Sequence, residues 1–184
     1  MKKLLLWFIA FGLLGGLAGC KKVEKEVDKA LTFYVSDDYA FSLPAVPPFV
    51  AGQTIAAPPF TTSTDATEDF RKANTAAGLV KDVKLDELTL SIEGPAGANF
   101  DFLEKISFYI STDAQGADKV KMASLDNIAR GVTTIKLQPT DAKMDKYLTA
   151  TSYSLTVEPT FRSGTTQATN MRINYKFKVT ADPL

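Results

Sequence analysis

The chain has 184 residues, in which 21 lysines and arginines balance 21 aspartates and glutamates, with one cysteine and no histidine. That balance, without a long block of either sign, gives no support to nucleic-acid binding, whose footprint is a clustered basic face. Without histidine the chain lacks the usual general acid/base, the usual zinc ligand and every Ser-His or Cys-His pairing, and a lone cysteine excludes a disulfide framework.

Met1-Lys2-Lys3 gives a positive start, and Leu4 to Gly16 is an apolar run of secretory length, too short to span a bilayer comfortably. It ends at Leu17-Ala18-Gly19-Cys20. This ending resembles the lipobox of bacterial lipoproteins, and the resemblance implies cleavage before Cys20 and diacylglycerol on its sulfur. An ordinary secretory site beside a coincidental cysteine, or an uncleaved anchor, would be the alternatives. Positive start, apolar run and lipobox in that order favour lipidation. Residues 1–19 are then a signal peptide, 20–29 the lipid anchor and charged tether, and 30–184 a single domain.

Two acyl chains hold a protein stably at a membrane where one does not, so the membrane is the expected first partner. In lipoproteins of enteric bacteria an Asp after the cysteine favours the inner membrane; Lys21 stands there instead. The expected location is therefore the outer membrane, facing the periplasm or the cell surface. Cleavage would leave 165 of the 184 residues, enough for one domain with a core but not for two. It also removes Trp7, the one tryptophan.

From residue 31 onward the pattern alternates with period two. In "LTFYV" the apolar set is Leu31, Phe33 and Val35; in "LTLSIEG" it is Leu88, Leu90 and Ile92; in "ISFYIST" it is Ile106, Phe108 and Ile110. "YSLTVEPTF" places Tyr153, Leu155, Val157 and Phe161 together, and "RINYKFKV" sets Ile173, Tyr175, Phe177 and Val179 against Arg172, Asn174, Lys176 and Lys178. Strands with one wet and one dry face belong to antiparallel sheets covered on one side. The expected fold is all-β: an antiparallel immunoglobulin-like or Greek-key β-sandwich with one short surface helix.

Turns are expected at "EGPAGAN", "TDAQGAD" and "RSGTTQ", and a bulge or loop within "MASLDNIARGVTTIKL", with strands near Val120–Leu125 and Thr133–Leu137. "TDATEDFRKANTAAG" has N-cap candidates in Asp65 and Thr67, acidic residues in its first turn and a stop at Gly78, which predicts the helix, pinned by Phe70. "NFDFLEKI" and "DAKMDKYL" could each hold one helical turn.

The segment "FSLPAVPPFVAGQTIAAPPF" carries five prolines and almost no charge. It cannot be a central strand, which leaves an edge strand and crossover, with Phe49, Ile55 and Phe60 available for packing, or a partner-docking surface through Pro47 and Pro48. Tyr34 and Tyr109 sit opposite the aliphatic sets of their strands and would mark a patch if exposed together. Carboxylates such as Asp37-Asp38, Asp86-Glu87 and Asp113 with Asp118 read as caps and solvating groups, and "DAQGAD" lacks the alternation and distal Glu of a calcium loop. There is no S-x-x-K, G-x-S-x-G or P-loop motif.

The layout as a whole resembles small β-sandwich lipoproteins of Gram-negative, Bacteroidetes-like bacteria. The expected function is a non-catalytic envelope module that binds or scaffolds another envelope protein, with no metal, no cofactor and no nucleic acid. Tyr34, Tyr109, Pro47 and Pro48, with the basic residues of the last strand, are its candidate binding surface, and Cys20 its lipidation site. The alternative is a small-ligand or lipid carrier, for which an apolar pocket of several hundred cubic ångströms between the sheets would speak.

Overall fold

Among the described residues, the wet-and-dry alternation of the sequence is realised as nine antiparallel strands in two sheets. The computed structural model describes residues 32–48, 51–63, 69–70, 75 and 77–182; the expected signal peptide, Cys20 and the expected tether lie outside the described residues. The strands are β1 (Thr32–Leu43), β2 (Phe60–Ser63), β3 (Val80–Gly94), β4 (Leu103–Ser111), β5 (Val120–Leu125), β6 (Thr134–Lys136), β7 (Gln138–Pro139), β8 (Ser152–Phe161) and β9 (Thr169–Ala181). The first sheet has the order β1-β9-β3-β6 and the second β2-β8-β4-β5-β7.

The chain crosses between the sheets at every connection except β4–β5 and β7–β8, which stay in the second sheet, and β9 returns beside β1, pairing with it over the whole length of β1. Within the Greek-key class expected from the pattern, this wrapping is the jelly roll, two Greek keys rolled into a sandwich. The core fills with the dry sets. Leu88, Leu90, Phe108, Ile110, Leu155, Ile173 and Val179 are all fully buried. Fully burying one such side chain contributes roughly 1.5–3 kcal/mol, which is why strands so regularly two-faced settle into one register.

"MASLDNIARGVTTIKL" breaks as expected: β5 ends at Leu125, and the chain re-enters the first sheet as β6 and the second as β7. The two single turns are present, a 3-10 turn at Phe100–Phe102 capped by the Asn99 side chain and a short helix α1 at Asp145–Leu148. Of the expected helix, most residues lie outside the described ones. Asp69 and Phe70 are helical, and Phe70 is buried edge-on against Phe33, their ring centroids 5.9 Å apart. It therefore pins this segment to the sandwich.

Two sequence features take roles that alternation alone does not give. Asp37 occupies an inward position of β1 between Val35 and Tyr39, where its carboxylate accepts the hydroxyl of Tyr175 at 3.1 Å, and Tyr175 meets Tyr153 hydroxyl to hydroxyl at 2.9 Å. Burial holds both phenols well above their ordinary pKa, so they stay neutral partners. An inward charge on an edge strand also discourages edge-to-edge pairing.

In the turn "TDAQGAD", Asp118 receives the backbone N–H of Thr112 at 2.9 Å and pairs with Lys146 of α1 at 2.8 Å. The Lys146 ammonium, seconded by the Thr112 N–H, brings the Asp118 carboxyl down to about 2. A carboxyl lowered by folding stabilises above its unfolded pKa and loses that contribution as pH falls through the folded value. Acidification from about pH 5 to about pH 2 should therefore lower the melting temperature of the wild type more steeply than that of Asp118→Asn. Thermal scans across that range test it, and parallel curves would show that Asp118 contributes nothing.

Candidate functional site

The proline-bearing segment makes a concavity, and it does so by interrupting a strand. From Gly52 to Ala57 the chain runs along β8: Gly52 N–H donates to the Phe161 carbonyl at 2.6 Å, Ile55 N–H to Pro159 at 3.0 Å and Ala57 N–H to Val157 at 2.8 Å. Pro58 and Pro59 have no N–H to continue the ladder, which resumes only as the short β2 opposite Leu155. This is the edge-strand and crossover reading. β1, at the edge of the first sheet, is twelve residues long and β2, at the edge of the second, only four, so β1 outruns it: Phe41 still stacks with Phe60 of β2, ring centroids 6.1 Å apart, and Leu43 continues beyond it.

The result is an apolar groove of about 540 Å³ between the sheets at this open edge. Phe41 and Leu43 form one wall, Ile55 to Pro59 the other, and Val157, Pro159 and Phe161 the floor. Tyr39 stacks on Phe60 at one end, with ring centroids 4.3 Å apart and planes 4° from parallel. At the other end Val46 exchanges two backbone hydrogen bonds with Thr165, at 3.2 and 2.8 Å, and its N–H also reaches the Thr165 hydroxyl at 3.0 Å. Ile55, expected to pack, is instead 40 % exposed in the groove wall, because its strand is the outermost one of its sheet.

The structure separates the residues singled out as a binding surface. Pro47 lines the groove; Pro48 is exposed beside it and does not. Tyr34 is 52 % exposed on the outer face of the first sheet, with the Lys176 ammonium 5.2 Å from its ring centroid. Tyr109 is half-buried on the outer face of the second sheet, beneath Lys119 at 4.5 Å and Lys121 at 5.6 Å. The two tyrosines thus face away from each other on opposite sides of the sandwich and form no common patch: β1 and β4 belong to different sheets.

Basic residues of β9 do project outward, but two of the three are already engaged. Arg172 pairs with Asp38 and Glu93, and Lys176 with Asp86 at 3.0 Å and Glu87 at 3.4 Å. Lys136 adds a second contact to Glu87 at 2.8 Å and, with Lys176, keeps its carboxyl below the ordinary range. Each of these carboxylates is a partner for a cation. Among the described residues no group of three acidic, cysteine or histidine side chains could hold a metal ion, and no helix is long and apolar enough to cross a membrane.

Of the groove's walls the sequence marked the segment from Phe41 to Phe60, through its prolines, Ile55 and Phe60, and Tyr39 as one of several candidate platform aromatics. That Tyr39, Phe41 and Leu43 continue the period-two pattern of β1 was legible in principle, and Asp37 hid it by standing in the apolar series.

No protein-family model matches the chain, and no curated protein matches it. Among solved structures it is similar to the capsid of Desmodium yellow mottle tymovirus, at 13% identity over 83% of this chain and 90% of that one, with a TM-score of 0.27. The BFDV capsid protein in its decameric form gives 10% identity over 80% and 98% with a TM-score of 0.30, and Cocksfoot mottle virus 7% over 84% and 86% with a TM-score of 0.28. At such scores these likenesses carry no argument about what the chain does.

Proposed function

We propose that the chain is a lipid-anchored, non-catalytic binding module of the outer membrane, and that it carries an apolar ligand, an acyl chain or a molecule of similar shape, in the groove at the edge of its sandwich. The observation that carries this reading is the groove itself: an apolar concavity of about 540 Å³ between the two sheets. That volume falls in the range of roughly 300–1,000 Å³ typical of ligand sites. Apolar surface left open to water is unfavourable, and filling it is the driving force for an acyl chain, which offers no charge to desolvate. A lipobox protein is delivered to the place where acyl chains are abundant. Scaffolding through Tyr34 and Tyr109 is less well supported, because those rings point to opposite sides and the charges around Tyr34 are largely paired with each other.

Two substitutions test the two halves of this proposal separately. Ile55→Glu puts a carboxylate into the groove wall at an exposed position, so it should weaken binding of the fluorescent fatty acid cis-parinaric acid by about tenfold or more while leaving the melting temperature nearly unchanged. Equal binding by wild type and Ile55→Glu, or no binding by either, would rule out the groove. Cys20→Ser should release the protein from the membrane fraction or leave it as uncleaved precursor. A Cys20→Ser protein that is processed normally and still sediments with outer membrane would rule out the anchor.

A further inference from the structure

We infer a second binding site, independent of the groove and of different chemistry, on the outer face of the first sheet: a trough built for a neutral polyhydroxylated ligand, a saccharide in chemical class. The trough crosses β1, β9 and β3 and has a volume of about 480 Å³. Its floor is made of short polar side chains. Asn174, on the central strand, lies in register between Asp38 of β1 and Thr89 of β3, and Ser36 opposes Lys176 in the adjacent pair. Cross-strand neighbours on one face of a sheet sit about 5 Å apart, close enough for one small ring to touch several of them.

Beside that floor the lining carries Asp37, whose carboxylate accepts the Tyr175 hydroxyl, and Asp38, Glu87 and Lys176, whose charges are paired. Arg172 is held by Asp38 and Glu93 on one side; Lys176 is held by Asp86 and Glu87 on the other, with Lys136 on Glu87. An anion would find no unengaged cation in the lining and would meet the carboxylates of Asp37, Asp38 and Glu87, whereas the hydroxyls of a neutral ligand can donate to them. The floor groups contrast with these charges. The Ser36 and Thr89 hydroxyls and the Asn174 amide are in none of the hydrogen bonds found among the described residues, although each can both donate and accept.

A sugar presents the complementary set, neighbouring hydroxyls that donate and accept without carrying charge. Tyr34, the next outward residue of β1 before Ser36, stands 52 % exposed beside the trough, with the Lys176 ammonium 5.2 Å from its ring centroid.

The test is a titration of the isotope-labelled protein, in a detergent without a sugar headgroup, with glucose, galactose, maltose and lactose, followed by amide chemical shifts. Saturable shifts at Ser36, Thr89 and Asn174 are expected for at least one of these sugars. Asn174→Ala should then weaken that sugar by about tenfold, the loss of about one good hydrogen bond, without lowering the melting temperature. The absence of saturable shifts with all four sugars would overturn the site. So would binding that Asn174→Ala and Thr89→Ala both leave unchanged. Cis-parinaric acid binding should be indifferent to these variants, which keeps the outcome separate from that of the groove.

Discussion

Replacing Gly164 by alanine should push the proline-bearing segment off one end of the groove, abolish ligand binding there and lower the melting temperature. A Cβ at this position would lie 2.5 Å from the Val46 carbonyl oxygen, 2.7 Å from Pro48 N and 2.8 Å from Pro47 C. All three are backbone atoms, so no side chain can rotate away and the chain itself must move. Moving it breaks the paired bonds between Val46 and Thr165 and lifts Val46, which is buried, out of the core. Two backbone hydrogen bonds at about 1 kcal/mol each, with partial loss of a buried valine, give a cost of roughly 2–4 kcal/mol. For a domain of this size that is a fall on the order of 10 °C. Gly78→Ala is the control, since nothing lies within 4 Å of a Cβ there. If Gly164→Ala melts and binds cis-parinaric acid like wild type, the segment is not locked as described and the groove has no fixed end.

The sandwich was legible because burial in a two-sheet fold is decided residue by residue at period two. Every inward residue read from β4, β8 and β9 is buried, as are Val35, Leu88 and Leu90, and the breaks at 95–99 and 126–133 fall where the alternation fails. Strand order was not legible in the same way. Pattern fixes which face of a strand is dry but not which strand lies beside it, and the pairing of β1 with β9 joins residues at opposite ends of the domain. Only long-range packing specifies that.

The groove was half legible, for a related reason. Prolines say locally that a ladder stops, and the chain does leave the β8 edge at Pro58 and Pro59. They do not say that β1 runs on past the break, and it is that mismatch of strand lengths which opens the space. Asp37 concealed the mismatch: a carboxylate in an apolar series reads as the end of a strand unless a buried phenol waits for it across the sheet, as Tyr175 does. Tyr34 and Tyr109 were each read correctly as outward-facing, but single-strand patterns carry no information on whether two outward faces belong to the same sheet.

Phe177→Ala should be among the most destabilising single changes in the chain, while its neighbour Lys178→Ala should be nearly silent. Phe177 is at the centre of the first sheet, opposite Val35 of β1 and Leu85 of β3, and is 1% exposed. Tyr175 and Tyr153 meet it edge-on, with ring centroids at 5.6 and 6.5 Å, and both carry their hydroxyls into the chain that ends on Asp37. Removing the ring leaves a cavity that a pleated sheet cannot close by rotation, and losses of this kind run to about 3–5 kcal/mol. Against a total stability of roughly 5–15 kcal/mol, that is a large share, and it predicts a melting temperature lower by 10 °C or so. Phe177→Leu, which keeps most of the volume, should recover part of the loss. Lys178 points to water on the other face of the same strand, where substitutions stay within about 0.5 kcal/mol of neutral. Equal losses from the two alanine variants would mean that β9 does not present one dry and one wet face, and the register that places both the groove and the trough would fall with it.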